Sequence, residues 1–297
     1  MNRDQWINTY QTDKTKKQAV VALRAFDRYL QAVMIDELKL FELIRHNDTE
    51  KYQTVQMMIN FWKEQKISAS SIKNYWNFIK NYWWHNDVKT FKEDLKAYVK
   101  FPKILKRMPE PLEKKTIKLL VDNAEQPYKT HYLVLASSGM RIDESLNFSE
   151  VNIEWGNWNE QRPTRIVLTP EITKGSVGRE VFISQEASEM LEKYFDDYLK
   201  LKPTIAEAYF NKLRKQLGLT KKYSNDWNYH VQIHAFKSFF MTWAEYVHDH
   251  KYSNAVGGHG AYLPEYNRLP RITKEQMYLK LEPYVSIYEK SQIAKIN

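Results

Sequence analysis

Cysteine is absent from all 297 residues, which at once excludes disulfides, thiolate metal sites and a cysteine nucleophile. That absence fits an intracellular, cytoplasmic protein, because disulfide-stapled folds belong to oxidising compartments. Long apolar runs are missing too. No stretch approaches the roughly 18 residues of a membrane helix, and Met1 to Tyr10 is polar, so a soluble, untargeted chain with no membrane partner is expected. Glycine is scarce, with 8 in the chain and none in residues 1–105. The sequence contains no glycine-rich phosphate loop ending in Lys-Ser/Thr, no His-Glu-x-x-His and no Gly-x-Ser-x-Gly. Chemistry without nucleotide, metal or other cofactor is the simplest reading that remains.

What the chain does have is apolar content and positive charge. With 43% apolar residues over this length, it can bury a sizeable core and is expected to form two domains. The net charge is +9, of which residues 1–105 carry +6, from 18 Lys or Arg against 12 Asp or Glu. A basic balance favours polyanion partners, since each neutralised phosphate releases condensed counterions. A solvated lysine-rich surface gives the same number, so charge alone does not decide between them.

The first third reads as helical throughout. Leu23, Phe26, Tyr29, Leu30, Val33 and Met34 recur at three- and four-residue steps and mark one buried face. A second stripe runs Val55, Met58, Ile59, Trp62, with Thr49 as its expected N-cap, and a third runs Ile72, Tyr75, Trp76, Ile79, Tyr82, Trp83 behind Ser68 to Ser71. Lys66, Lys73 and Lys80, seven apart, would form one basic stripe if a single helix carried them. Between Phe101 and Pro111 the pattern breaks at Pro102, Pro109 and Pro111, around a basic run that includes Lys103, Lys106 and Arg107. This linker sets the expected domains at residues 1–105 and 106–297.

Beyond it, Ile117, Leu120, Val121 and Ala124 mark one helix, and Tyr132 to Ala136 lies in another that ends at Gly139. Two runs rich in β-branched residues, Arg165 to Leu168 and Glu180 to Ile183, flank Thr173 to Gly178 and predict a hairpin. Helices are expected again at Gln185 to Leu199, Ile205 to Leu217 and Ile233 to Val247. The fold class is therefore mainly α with a small antiparallel β-hairpin in the C-terminal domain.

Four segments in the second half carry candidate chemistry. Arg141 follows Gly139-Met140, with Asp143 and Glu144 in reach to orient its guanidinium, which can grip a phosphate through two parallel hydrogen bonds. Lys174 sits in the hairpin loop, where neighbouring cations would ready it to donate a proton. His234 and Lys237 are three apart on a predicted helix and share a face. His259 follows Gly257-Gly258, and Tyr266 comes seven residues later. Each has an ordinary alternative: a helix-capping ion pair for Arg141, a solvated turn lysine for Lys174, a structural histidine for His259, and chance for one of 20 tyrosines. His248-Asp249-His250 suggests a metal site but lacks a third ligand at helical spacing, so it reads as a polar helix end.

In order and spacing, these segments resemble the catalytic segments of tyrosine recombinases, the DNA integrases that cut through a phosphotyrosine. They are most similar to the archaeal and archaeal-virus branch of that family. The resemblance covers roughly residues 112 to 290, and Ser70 to Tyr75 matches the family's core-binding segment more thinly. It implies a two-domain clamp around double-stranded DNA, with residues 1–105 as the core-binding domain and 106–297 as the catalytic domain. It implies that Tyr266 is the nucleophile, with Tyr262 its main rival and Tyr278 and Tyr284 weaker ones. Arg141, His234, Lys237 and His259 become phosphate ligands and Lys174 the general acid. Lys66, Lys73, Lys80, Lys103, Lys106 and Arg107 become DNA contacts. No cofactor is implied, and monomers would assemble on DNA as a homotetramer, with the tail after Pro283 docking on a neighbour. Thr273-x-x-Gln276 is expected to cap the helix that follows Tyr266. The family has His-x-x-Arg where this chain has Lys237, which replaces a bidentate clamp by a point charge. That departure keeps open a DNA-binding protein with weakened chemistry, and a monomeric topoisomerase of the same chemistry is the other alternative.

Overall fold

The structure, a computed structural model, describes residues 2–104, 110, 112–223, 229–260 and 262–288. It divides into two units, residues 1–107 and 108–297. The expected linker falls largely on residues 105–109 and 111, so Lys106 and Arg107 lie outside the described residues.

In the first unit the apolar stripes fold as helices: α1 (Arg3–Ile7), α2 (Asp13–Ala32), α3 (Glu37–Arg45), α4 (Asp48–Glu64), α5 (Ala69–Trp84) and α6 (Lys92–Tyr98). Trp6, Phe26, Met58, Trp62 and Trp83 are fully buried at its centre. Aromatic side chains bury roughly 150–250 Å² each, which supplies the driving force for a unit without glycine or disulfides. The Trp62 indole N–H, buried with the rest, donates to the Ala25 carbonyl at 3.1 Å. Ser68 caps α5 by accepting from the Ser71 N–H. Two local expectations are corrected. Asn47, not Thr49, caps α4, because its side-chain oxygen accepts from the Glu50 N–H. Lys66 has a left-handed φ of 56° in the turn between α4 and α5, so Lys66, Lys73 and Lys80 do not lie on one continuous helix.

The second unit is built around α8 (Tyr128–Ser138), whose residues Thr130 to Ser138 are all buried. A helix covered on every side shows no apolar stripe, which is why Tyr132 to Ala136 read as an unbroken apolar run. Before it comes α7 (Lys114–Asn123), and after it α9 (Ile142–Ser145). Among the described residues one antiparallel sheet follows, in the order β1 (Ile153–Glu154), β2 (Thr164–Leu168), β3 (Arg179–Ile183). Ile166 pairs with Val181, and Arg165 with Phe182, so the expected hairpin is present and β1 extends it. All five residues of β3 are buried, while β2 alternates.

Four of the remaining helices are α10 (Gln185–Lys193), α11 (Phe195–Leu199), α12 (Pro203–Gln216) and α13 (Ala235–Val247). The last three are α14 (His250–Val256), α15 (Leu263–Asn267) and α16 (Arg271–Val285). The single helix expected over Gln185 to Leu199 is broken at Tyr194, whose ψ of 28° ends α10. The capping box expected at Thr273 is also corrected. The helix already starts at Arg271 after Pro270, whose fixed φ suits that boundary, with no side-chain cap.

Charged residues join α16 to the sheet. Arg165 on β2 is paired with both Glu154 on β1 and Glu180 on β3. Arg271 reaches Glu154 and Lys274 reaches Glu180, each from the first turn of α16. Among the described residues no helix is long and apolar enough to cross a membrane.

Candidate active site

Gly139 ends α8 in the left-handed region at φ 66°, and a Cβ there would stand 2.4 Å from the Phe240 ring on α13. The missing side chain lets the end of α8 touch α13. Two residues later Arg141 caps α9. Its Nη1 and its backbone N–H donate to the two oxygens of Glu144, at 2.7 and 2.8 Å.

Glu144 is buried and has a second arginine. Arg179, at the start of β3, donates from Nη2 and Nη1 to the Glu144 oxygens at 2.7 and 3.3 Å, and from Nε to the Val256 carbonyl at 3.1 Å. Burial would raise the Glu144 carboxyl, but Arg179 and then Arg141 outweigh it and hold the group at about 2.

Lys237 lies in the first turn of α13, buried, and its ammonium donates to the Gly257 carbonyl. Burial first, then the charges of Arg141 and Arg179, bring its value down to about 7 against the pull of Glu144. His234 stands at the N-cap of the same helix with an exposed ring. Desolvation and the charges of Lys237, Arg141 and Lys174 lower its value. His259 is exposed after the left-handed Gly258, and its value is lowered by desolvation and then by Lys237, Arg141, Arg179 and His250.

These mutual influences place five groups from four separate segments in one electrostatic neighbourhood: Arg141, Lys174, His234, Lys237 and His259. Lys174, His234 and His259 are exposed and Arg141 is half-buried, so all four can meet a ligand. Glu144, Arg179 and Lys237 form a buried layer with the exposed groups around it. The cluster carries more positive than negative charge, which suits a phosphodiester anion.

Tyr266 is not brought into this cluster. Its side chain on α15 is buried, its hydroxyl has no partner among the described residues, and burial raises its value well above 10. Its surroundings are the Tyr252 ring at 5.8 Å, the Lys274 ammonium at 5.3 Å, and the charges of Glu180 and Arg165. The helix that carries it is fastened by the Asn267 amide, which donates to the Gly178 carbonyl, and by Lys274, which donates to the Asn267 carbonyl. Tyr262 is half-buried, with its ring 6.4 Å from that of His250, one of the groups acting on His259. Tyr278 is fixed in the core by a hydrogen bond to the Ser137 carbonyl, and Tyr284 lies against Trp243 and Tyr246.

Of the DNA contacts expected in the first unit, Lys66, Lys73 and Lys103 are exposed and Lys80 is half-buried. Among the described residues no three His, Cys, Asp or Glu side chains are grouped to hold a metal ion. Asp249 caps α14 through the Tyr252 N–H, and His248 meets the Met277 carbonyl.

The sequence reading missed Arg179. The available signal was a charged pair, Arg179-Glu180, at the head of a strand buried on both faces, where each charge must find a partner.

No protein-family model matches the chain, and no curated protein matches its sequence. Solved structures do match. A fragment of lambda integrase, residues 75–356, bound as a dimer to a COC′ core site, gives a TM-score of 0.61. At 15% identity, that likeness covers 91% of this chain and 100% of the fragment. The chain shares the fold of lambda integrase. A longer lambda integrase on the same core site also gives 0.61, with 13% identity over 93% of this chain and 76% of that one. A fragment of the Tn1549 transposon integrase in complex with transposon right-end DNA gives 0.51, with 13% identity over 86% of this chain and 96% of the fragment. At these identities the likeness is one of fold: a mainly helical chain whose second unit has the small antiparallel sheet of the integrase fold.

Proposed function

We propose that this chain is a site-specific DNA recombinase of the tyrosine type, which cuts and rejoins DNA through a 3′-phosphotyrosine link. The observation that carries the reading is the meeting of Arg141, Lys174, His234, Lys237 and His259, from four separate segments, on an integrase fold. Tyr266 attacks the scissile phosphate in line and gives its phenolic proton to water. The bond from phosphorus to the 5′-oxygen breaks, and Lys174 donates the proton that makes this oxygen a hydroxyl. Arg141, His234, Lys237 and His259 stabilise the charge that grows on the non-bridging oxygens. The bond energy is kept in the covalent link, so rejoining uses no nucleotide. For this chemistry Tyr266 has to leave its buried seat, which requires α15 to let go of Gly178 and Lys274.

In this proposal the first unit supplies DNA contacts through Lys66, Lys73, Lys80 and Lys103, and four copies assemble on two duplexes. The tyrosine followed closely by a basic residue, Tyr266-Asn267-Arg268, is the ground for placing the chain in the archaeal branch. A nicked suicide substrate tests the reading. A covalent adduct is expected, and peptide mapping should find it on Tyr266; an adduct on Tyr262 would move the nucleophile, and no adduct would refute the enzyme. The second reading, a DNA-binding protein with weakened chemistry, is favoured by one observation: the Lys237 ammonium is buried and engaged with Gly257.

A further inference from the structure

Arg179, like its partner Glu144, is a charged group of this cluster that the mechanism above leaves unused. Its side chain is 1% exposed, so it cannot meet a phosphate. Its three nitrogens contact two segments far apart in sequence. One contact is Glu144, which in turn grips Arg141 by both guanidinium and backbone. The other is the Val256 carbonyl, three residues before His259. Gly258 makes room for this: at φ 73°, a Cβ on it would stand 2.7 Å from Nη1 and 2.8 Å from Cζ of Arg179. Lys237 holds the next carbonyl, that of Gly257. The segment that delivers His259 is thus held by two buried cations, one of which also holds Glu144.

We propose that Arg179 is the positioning residue of this site, clamping Glu144 and the Val256 carbonyl together so that Arg141 and His259 face the same phosphate. The proposal rests on the phosphoryl-transfer reading given above. Only a planar guanidinium does this, because two parallel bonds take the carboxylate while Nε points elsewhere; an ammonium neutralises Glu144 but cannot span both partners. Arg179→Lys therefore keeps the charge and removes the clamp.

The charged groups around Glu144 are Arg179 and Arg141, with Lys237 and His234 at longer range. With lysine in place of the guanidinium, Glu144 keeps a nearby charge but loses the two parallel bonds, so burial is less fully offset. Glu144 then takes up a proton at a higher pH than in wild type, and Arg141 loses its partner.

The test compares wild type, Arg179→Lys and Gly258→Ala, the last of which crowds Arg179 without touching a charge. Adduct formation on nicked DNA should fall about a hundredfold in both variants, the loss that a misplacement of about 1 Å brings. DNA affinity by anisotropy should stay within about threefold, because phosphate-backbone contacts dominate it. Relative to wild type, Arg179→Lys should fall further toward acid pH, which a merely stabilising ion pair would not produce. Adduct rates within about threefold of wild type, with an unchanged pH profile, would overturn the proposal.

If wild type forms no adduct, the recombinase reading fails and the positioning role is decided separately. Inorganic phosphate titrated into wild type should shift the NMR signals of the Arg141 side chain and the His259 ring together. In whichever variant folds, one should shift without the other, and joint movement there overturns the proposal.

Discussion

Lys237→Arg is the substitution that separates charge from geometry at the site. In wild type, burial and the charges of Arg141 and Arg179 bring the lysine to about 7, so its charge is half lost at neutrality. About three quarters of the lysines are charged at about pH 6.5 and about three per cent at about pH 8.5, whereas arginine stays charged throughout. If the charge stabilises the transition state, the adduct rate of Lys237→Arg divided by that of wild type should climb about 25-fold over that range. Taking the ratio removes what the two proteins share, such as the phenol's own ionisation, and a loss from fitting the larger side chain scales the ratio at every pH without changing its climb. Rates are measured on suicide DNA at subsaturating protein, so the profile reports the free enzyme. A ratio that stays flat refutes the reasoning. The same displacement bears on stability. The folded-state value lies below the 10.5 of a free lysine, so stability is fully present above about 10.5 and is lost as the pH falls through about 7. Lys237→Met, which has no proton to take up, should lose that slope in urea titrations.

Three further outcomes are expected. Tyr266→Phe removes a buried hydroxyl that has no partner among the described residues, a state that costs roughly 1–3 kcal/mol. The variant should therefore resist urea better while forming no adduct, and lower stability would refute the buried seat. Glu186 is buried on α10 and accepts the backbone N–H groups of Ile287 and Tyr288 at 2.6 and 2.9 Å. Burial nevertheless raises it from 4.5 to about 7. Its share of stability is present below 4.5 and lost as pH rises through about 7, so Glu186→Gln should gain roughly 3 kcal/mol on wild type across that window in urea midpoints. Gly139→Ala places a methyl group 2.4 Å from Phe240 in a left-handed backbone, and calorimetry should find it about 3 kcal/mol less stable.

What could be read in advance followed from local rules. The helices of the first unit came from apolar periodicity, the αL end of α8 from Gly139, and the hairpin from two β-branched runs. The candidate cluster was readable because each member sits in a short segment with its own cue. Arg179 had only the cue of a charged pair at the head of a buried strand, which does not name its partners, since its importance lies in reaching Glu144 and Val256, 35 and 77 residues away. Thr49 and Thr273 are good capping residues that lost to Asn47 and Pro270, which stand where the chain turns. The Lys66 stripe failed because one left-handed residue ends the helical phase. The seat of Tyr266 depends on Tyr252, Lys274 and Glu180, and no periodicity records where a hydroxyl comes to rest.

The ion pairs between the sheet and α16 differ in depth, and this makes ionic strength a graded lever on that attachment. Arg271 and Glu154 are 47% and 43% exposed, so salt with a screening length of about 8 Å dims their attraction. Lys274 and Glu180, at 5% and 9%, are sheltered from it. In dilute buffer α16 is moored to the strands by two links, and in brine by one. Heat acts in the opposite sense, because dehydrating ions becomes less costly as temperature rises.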